Sequence, residues 1–229
     1  MIKINSPSRV FLSGPLTMFA DKKTGMIDPT VVRTLKLMLK HLRQNGHQVF
    51  CAHELEQWGA ATKELTIPQI MKRDLSAIQA ADYVFIMPNF GGKYSEGTIV
   101  LEMAPITMRL SALKDINGKS ELMTRDGKKI KPPKGIIYLH HKGSEIDPHF
   151  DSYMQMFRKL YPNHFEYLEF EKPSDLVKIV KSHAPKISQA KKVLGRARLN
   201  AARLVLGRAK LKHYVGATYF TSKPRKRPL

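Results

Sequence analysis

The residues best suited to chemistry lie in a glycine-rich segment, Gly91-Gly92-Lys93-Tyr94-Ser95-Glu96-Gly97-Thr98, which is followed by Glu102. In a loop that leads from a strand into a helix, several backbone N–H groups point outward at the positive end of the helix dipole. That arrangement suits a phosphate, and Ser95 and Thr98 add hydroxyl donors. Glu102, one turn into the helix, would then face the sugar of a nucleotide. The alternative is a structural turn in which Thr98 caps the helix and Glu102 is solvated.

Alternating apolar strands and amphipathic helices surround this segment. Short apolar runs predict strands at Arg9–Gly14, His47–Ala52, Ala81–Pro88, Gly135–His140 and Phe165–Phe170. Helical periodicity predicts helices at Val31–Leu42, Pro68–Ile78, Thr98–Leu110, Ser152–Tyr161 and Ser174–His183. Because the strands are almost wholly apolar, they indicate a sheet that is covered on both faces. We expect an α/β fold, Rossmann-like and doubly wound, with a mostly parallel five-stranded sheet and helices on both faces.

In such sheets, ligands bind beyond the carboxyl ends of the strands. Three polar or glycine-rich segments follow predicted strands here, at Ser13–Thr17, His53–Gly59 and Pro88–Thr98. The pattern therefore predicts that these segments meet at one sheet edge and form the binding site.

The charge is divided unevenly along the chain of 229 residues, whose formal net charge is +20. Residues 176–229 hold 15 Lys or Arg and no Asp or Glu, whereas residues 1–175 hold 24 basic and 19 acidic residues. We expect a catalytic domain at 1–184, with 115–135 as an inserted loop, and a basic helical extension with a disordered end at 185–229. Three interpretations of the extension remain open: a helix docked on the domain, a nucleic-acid-binding arm, or a segment on an anionic membrane.

Several classes of protein do not fit the composition. No run of about 18 uncharged apolar residues is present, so we expect no membrane span. The short polar N-terminus does not resemble a secretory signal, and the single cysteine, Cys51, excludes an internal disulfide. These features favour a cytoplasmic protein. His53, Glu54 and Glu56 lie close together, but their spacing is no established metal-ligand pattern, and we predict neither a metal nor a cofactor.

Six segments in order resemble one known group of proteins. They are Val10–Leu16, Ala52-His53, Trp58-Gly59-Ala60, Asp74-Leu75 with Ile78, Ala80-Ala81-Asp82, and Ser95–Thr98 with Glu102. Together they resemble the nucleoside 2-deoxyribosyltransferase-like superfamily, and most closely the branch that hydrolyses cytidylate or hydroxymethyl-cytidylate. The likeness covers roughly residues 8–112, with weaker support to residue 184.

The resemblance implies an activity and a set of site residues. The expected reaction is hydrolysis of the N-glycosidic bond of a nucleoside 5′-monophosphate, giving a free base and a (deoxy)ribose 5-phosphate, by a homodimer without a cofactor. Glu102 matches the glutamate that attacks or stabilises C1′, and Asp74 matches an aspartate that positions or protonates the leaving base. Ser95 stands where transferases acting on free nucleosides carry an aspartate, which would repel a phosphate. The implied phosphate-binding residues are Ser95, Gly97, Thr98, Ser13 and Gly14, and the implied base- or sugar-binding residues are Phe11, Pro15, Leu16, His53 and Trp58.

Three alternatives stay open. Glu102 follows Thr98 by four residues where relatives have three, which rotates the side chain by about 100° around the helix. That displacement, together with the acid-free tail, favours the first alternative, which is a nucleic-acid-binding or ribonucleoprotein component that uses the fold without catalysis. The second alternative is a nucleoside 2-deoxyribosyltransferase. The third is a phosphoribohydrolase of the cytokinin-activating type, although its usual arginine pattern is missing.

Overall fold

A single parallel sheet organises the domain. The computed structural model describes residues 1–14, 24, 26–59, 66–87, 132–144, 148–189, 191–195, 197 and 199. Its five strands have the order β2-β1-β3-β4-β5, and every neighbouring pair is parallel. They are β1 (Arg9–Leu12), β2 (Gln48–Cys51), β3 (Tyr83–Ile86), β4 (Gly135–His141) and β5 (Phe165–Phe170).

Helices cover both faces of this sheet. They are α1 (Pro29–Gln44), α2 (Ala52–Leu55), α3 (Ile67–Ala80), α4 (Pro148–Leu160) and α5 (Pro173–His183). One buried core joins the sheet to α1 and α5, through residues such as Leu35 and Val180. A second core joins the opposite face to α3 and α4, through residues such as Ile78 and Met154. Side chains alternate along each strand, so Leu12 enters the first core while its neighbour Phe11 enters the second.

The boundaries of α1 have identifiable local causes. The Asp28 carboxylate accepts hydrogen bonds from the backbone N–H groups of Thr30 (2.7 Å) and Val31 (3.3 Å), and Pro29 occupies the first turn. The helix ends at Asn45 and Gly46, where Gly46 has a φ of +86°. Between these signals, six residues of α1 are buried against the sheet. The sequence pattern thus sets both the length of α1 and the face that it buries.

The structure confirms the predicted α/β, doubly wound sheet, and the strands that it describes are all parallel. The fifth strand has the predicted bounds, Phe165–Phe170. The second ends one residue early, because Ala52 already begins α2. The predicted helix at 98–110, and the predicted inserted loop at 115–135 up to residue 131, lie outside the described residues. No helix within the described ranges is long and apolar enough to cross a membrane.

The two ends of the domain meet at the amino edge of the sheet. The backbone N–H of Ile4 donates to the carbonyl of His183 at 2.7 Å, and Ile4 is fully buried. The Ile2 N–H donates to Glu166 Oε2 at 2.8 Å, and the same oxygen lies 3.1 Å from His183 Nε2. The segment before β1 is therefore part of the core.

The start of the basic extension is docked beside these ends. Residues 191–195 are helical, and Lys192 Nζ donates to the carbonyl of Gln44 at 2.7 Å. A Cβ added at Gly195 would lie 2.3 Å from Pro7 Cγ, so only glycine allows this approach. Because Pro7 precedes β1 and Gln44 precedes β2, the docked turns lie at the amino edge, opposite the predicted site. From residue 200 on, the extension is outside the described residues.

Leu35→Ala tests the core between α1 and the sheet. Leu35 is fully buried, so truncation should leave a cavity and lower the free energy of unfolding by about 2–5 kcal/mol. The measurement is urea denaturation followed by circular dichroism.

Leu37→Ala on the same helix is the matched control, because Leu37 is 47% exposed. It should change the free energy of unfolding by less than about 0.5 kcal/mol. Equal losses in the two variants would contradict the described register of α1.

Candidate active site

The strand order reverses between β1 and β3, so the carboxyl edge of the sheet has a topological switch point there. After β1 the chain moves outward to β2, and it then crosses to the other side of β1 to form β3. Loops diverge at such a point and leave a crevice, where ligands bind in sheets of this kind. The Ser13 N–H donates to the carbonyl of Phe85 at 2.9 Å, which continues the pairing of the two strands to the rim. The next residue, Gly14, therefore stands at the crevice.

His53 lies directly against Gly14. A Cβ on Gly14 would be 2.8 Å from His53 Nε2 and 3.2 Å from Met87 Cε, so the close approach requires glycine. His53 is almost completely buried and hydrogen bonds to the Gly14 backbone. Burial, with Arg73 nearby, lowers the pKa of His53 to about 4. The ring is therefore neutral at pH 7, and among the described residues its Nδ1 has no hydrogen-bond partner.

A buried charged cluster of Glu56, Arg73 and Asp74 lies near His53. Arg73 Nη2 donates to Glu56 Oε1 at 2.6 Å, and Arg73 Nε donates to Asp74 Oδ1 at 2.7 Å. The Arg73 and Glu56 side chains are 4% and 2% exposed, while Asp74 is 15% exposed. Within the described part of the chain, Arg73 Nη1 and Glu56 Oε2 are buried without a partner. The cluster thus retains one buried donor and one buried acceptor whose hydrogen-bonding capacity is unused.

Burial controls the proton affinity of the cluster. It raises the pKa of Asp74, and the Arg73 hydrogen bond opposes the rise without cancelling it. Burial also raises the pKa of Glu56, against the same opposing effect of Arg73. Desolvation disfavours the charge on Arg73, but its hydrogen bonds with Asp74 and Glu56 leave the pKa of Arg73 raised, so it remains a cation. One cation therefore serves two carboxyl groups that both hold a proton more tightly than usual.

The predicted site residues have different positions in the structure. Gly14 and His53 follow β1 and β2 at the carboxyl edge, where the pattern places them, and Asp74 on α3 is joined through Arg73 to Glu56. Ser13 is also at the carboxyl edge, but it is fully buried and has a partner within the protein. The predicted residues outside the described ranges are Pro15, Leu16, Ser95, Gly97, Thr98 and Glu102.

The structure does not support the predicted base contact of Phe11. Its side chain is fully buried in the core that faces α3 and α4, and its ring stacks on Phe50 with centroids 5.4 Å apart. Strand alternation is the reason, because Phe11 points to the sheet face and not along the strand to its end. Phe11 is a packing residue.

Trp58, a predicted base- or sugar-binding residue, packs against the first core beside α1, on the sheet face opposite the Phe11 side chain. It packs partly on the first core, and Lys36 Nζ is 5.2 Å from the centre of its ring. The Ile27 N–H donates to the Trp58 carbonyl at 3.1 Å. Its neighbours are thus α1 and the segment before it, and not the charged cluster.

The sequence analysis does not identify Arg73, and it considers Glu56 only as a possible metal ligand beside His53 and Glu54. One signal was available for Arg73. Ala77 packs on the second core, and Arg73 precedes it by one helical turn on the same side of α3. An arginine in that register must find partners inside the protein. No signal pointed to Glu56, which meets Arg73 only through the fold.

Glu54, which lies between His53 and Glu56 in the sequence, has a different environment. Glu54 forms a two-point ion pair with Arg43 on the surface, where the side chains are 36% and 43% exposed. His53 and Glu56 therefore point inward while Glu54 points outward. Among the described residues, no group of three or more His, Cys, Asp or Glu side chains is placed to hold a metal ion.

Comparison with known proteins gives only distant structural likenesses. No family model and no curated protein matches the chain. The chain is similar to the solution structure of BlsM, with 17% identity over 85% of this chain and 96% of that chain, and a TM-score of 0.46. It is also similar to a conserved protein from Enterococcus faecalis V583, with 11% identity over 77% and 99% of the two chains and a TM-score of 0.39. At identities and TM-scores this low, neither likeness bears on the activity.

Arg73→Met should be strongly destabilising. The change leaves two buried carboxyl groups without their cation, and we expect the free energy of unfolding at pH 7 to fall by about 3–5 kcal/mol. The measurement is urea denaturation at pH 7 and again at pH 5, where protonation of the carboxyl groups should recover part of the loss.

Arg43→Met is the control for this variant, because it breaks an ion pair on the surface. We expect a loss of at most about 1 kcal/mol. If Arg73→Met cost no more than Arg43→Met, the cluster would be open to water and not buried.

His53→Gln tests the neutral state of the imidazole. The unfolded chain takes up a proton near the ordinary pKa of 6.5, whereas the folded state takes it up only at about 4. Between these values the unfolded state binds more protons, so His53 lowers stability as the pH falls, by about 3 kcal/mol in total. Glutamine does not titrate, so the variant should lose less stability than wild type between pH 6.5 and 4.

The difference between the variant and the wild type gives the contribution of His53 alone to the pH dependence of the unfolding free energy. His47 is also buried with its pKa lowered to about 4, and it contributes equally to both proteins. The raised pKa values of Glu56 and Asp74 act in the opposite direction, since they favour the folded state at low pH. Parallel curves of unfolding free energy against pH would show that His53 titrates normally in the folded protein.

Proposed function

We propose that the chain hydrolyses the N-glycosidic bond of a nucleoside 5′-monophosphate, with cytidylate or a modified cytidylate as the first candidate. The observation that carries the proposal is Asp74, a half-buried carboxyl group with a raised pKa, hydrogen bonded to the buried Arg73. Cleavage of such a bond needs two carboxyl groups with separate roles, one that donates a proton and one that stays ionised.

Asp74 has the properties of the proton donor. Its Oδ1 accepts from Arg73 Nε, and its Oδ2 has no hydrogen bond to the described residues, so a proton on Oδ2 is available to a ligand. Glu56 is more deeply buried and is paired through Oε1 with Arg73. Asp74, the more exposed of the two, is therefore the group that can exchange a proton with a bound base.

Glu102 is the ionised partner in this proposal. As the proton from Asp74 reaches the leaving base, the C1′–N bond breaks and positive charge develops at C1′. Glu102 either attacks C1′ to give a glycosyl ester that water cleaves, or it stabilises the charge while water attacks directly. Ser95 and Thr98 would hold the phosphate. These roles rest on the resemblance of the sequence motifs, as does the expected homodimer.

Asp74→Asn tests the role of the donor. Asparagine keeps the shape but cannot supply the proton, and we expect kcat for base release to fall by about 10²–10⁴-fold. A ribose 5-phosphate that carries a nitrophenolate leaving group needs no proton, and it should restore most of the lost rate. Base release is followed by chromatography, with each nucleoside monophosphate as substrate.

The pH dependence of the wild type and a control variant complete the test of Asp74. In the wild type, kcat/KM should fall as the pH rises through the pKa of Asp74, because the donor must be protonated. Asp28→Asn, a helix-cap change that asparagine tolerates, should leave the rate unchanged. Normal base release by Asp74→Asn removes the assigned role, and no base release from any nucleotide by wild type removes the proposed activity.

A non-catalytic nucleic-acid-binding function is the second candidate. The charge distribution favours it, since residues 176–229 hold 15 basic and no acidic residues. A positive segment of this kind binds phosphates with a steep dependence on salt. Tight, salt-sensitive RNA binding by a protein without turnover would place this function first.

A further inference from the structure

We propose that a groove between α1 and Trp58 binds single-stranded nucleic acid, with a base stacked on the indole and successive phosphates held by Arg33, Lys36 and Lys40. The groove has a volume of about 570 Å³ and also contacts Pro29, Val32 and Leu37. We name it the Trp58 groove. The proposal does not depend on the proposed hydrolase activity.

The three cations form a row along one face of α1. Arg33, Lys36 and Lys40 are spaced by three and four residues, so they stand one above another on the helix. Like charges at this spacing repel each other and destabilise the helix. None of the three forms an ion pair with the described part of the chain, and no described residue that lines the groove is acidic. A bound polyanion would remove this repulsion.

Glu54, a described carboxylate that interacts with Lys36, does not neutralise the row. Glu54 feels the charge of Lys36, which helps to lower the pKa of Glu54. Both oxygens of Glu54 are nevertheless already held by Arg43. The field of Arg33, Lys36 and Lys40 therefore stays directed at the groove.

The backbone holds Trp58 in place at a conformational cost. Gln57 and Trp58 have φ values of 50° and 59°, so two successive residues with side chains adopt the left-handed region. Such strain persists only where surrounding contacts impose it, and it is concentrated at functional sites. Here the contacts are the hydrogen bond from Ile27 to the Trp58 carbonyl and the packing of the indole on the first core. The result is a half-buried ring in a fixed position beside the row of cations.

Lys36 would move when a base binds. Its Nζ now lies over the indole, 5.2 Å from the centre of the ring. An exposed cation–π contact is weaker than the stacking of a base on an aromatic ring. A base can therefore displace the ammonium group, whose long side chain can turn to the adjoining phosphate. The Trp58 ring would then stack on the base, and Lys36 would contact the phosphate of the same nucleotide.

The length of the row favours a strand over a single nucleotide. Arg33 and Lys40 are seven residues apart on a helix, which corresponds to about 10 Å. One phosphate cannot span that distance, whereas consecutive phosphates of a strand can. An acidic peptide would satisfy the charges but offers no planar base to Trp58. Alternating aromatic and cationic contacts are the usual basis of single-strand binding without sequence preference.

Trp58 itself reports on the groove, because it is the only tryptophan in the chain. A short oligouridylate titrated into the full-length protein should quench its fluorescence to saturation. A triple variant in which Arg33, Lys36 and Lys40 are all replaced by glutamine should bind more weakly, with a dissociation constant at least tenfold higher. It should also reduce the slope of log K against log salt by about 2, since each single-strand phosphate contact contributes about 0.7.

The control removes the same charges elsewhere. Lys142, which follows β4 and pairs with Glu171, and Arg158 and Lys159 on α4 are exposed cations outside the groove lining. Their replacement by glutamine should leave the quenching titration within twofold of wild type. Equal weakening by the two triple variants would overturn the proposal. So would oligouridylate binding, detected by anisotropy, that does not quench Trp58. Quenching at the same concentration by uridine monophosphate or by polyglutamate would overturn it as well.

Discussion

Every strand of the sheet runs in the same direction, and this constraint decides where the functional groups can meet. The described strands all end at one edge, and in the order β2-β1-β3-β4-β5 the chain connections diverge there between β1 and β3. Gly14 and Met87 mark the two sides of that divergence, and His53 enters between them from the end of β2. The approach is so close that the first position after Ser13 must lack a side chain. The chemistry of the edge thus follows from the strand order.

Beneath this edge, one guanidinium group between two carboxyl groups sets the electrostatics. A buried ion pair is seldom the most stable filling for a protein interior, because desolvation of the charges offsets their attraction. What the structure shows of this cluster is its effect on protons, since burial raises the pKa of Glu56 and of Asp74 while Arg73 opposes the rise. Arg73 holds Glu56 in the interior, while Asp74 reaches the solvent side with an oxygen to spare. Burial keeps His53 neutral, and the same cation adds to this effect by lowering the pKa of His53 further.

The fold could be predicted from the sequence because its signals are local. Apolar runs such as Phe165–Phe170, and the capping pair Asp28-Pro29, carry their own boundaries. The site was only partly predictable. Motif resemblance indicated Asp74 and His53, but it also assigned Phe11 to the base, since a motif does not say which face of a strand a residue occupies. Glu56 and Arg73 are 17 residues apart, and their contact depends on packing that no local pattern records. The orientation of Glu102, on which the proposed activity rests, stays a prediction.

The pairing of Ile4 with His183 has a consequence for synthesis. The segment before β1 is made first, but its backbone partner is among the last residues of the domain to be made. During translation the amino-terminal residues must therefore wait, with their apolar side chains uncovered, until α5 has left the ribosome. The sheet can begin to assemble earlier, from β1, β2 and β3, but the domain closes only when its beginning and its end come together.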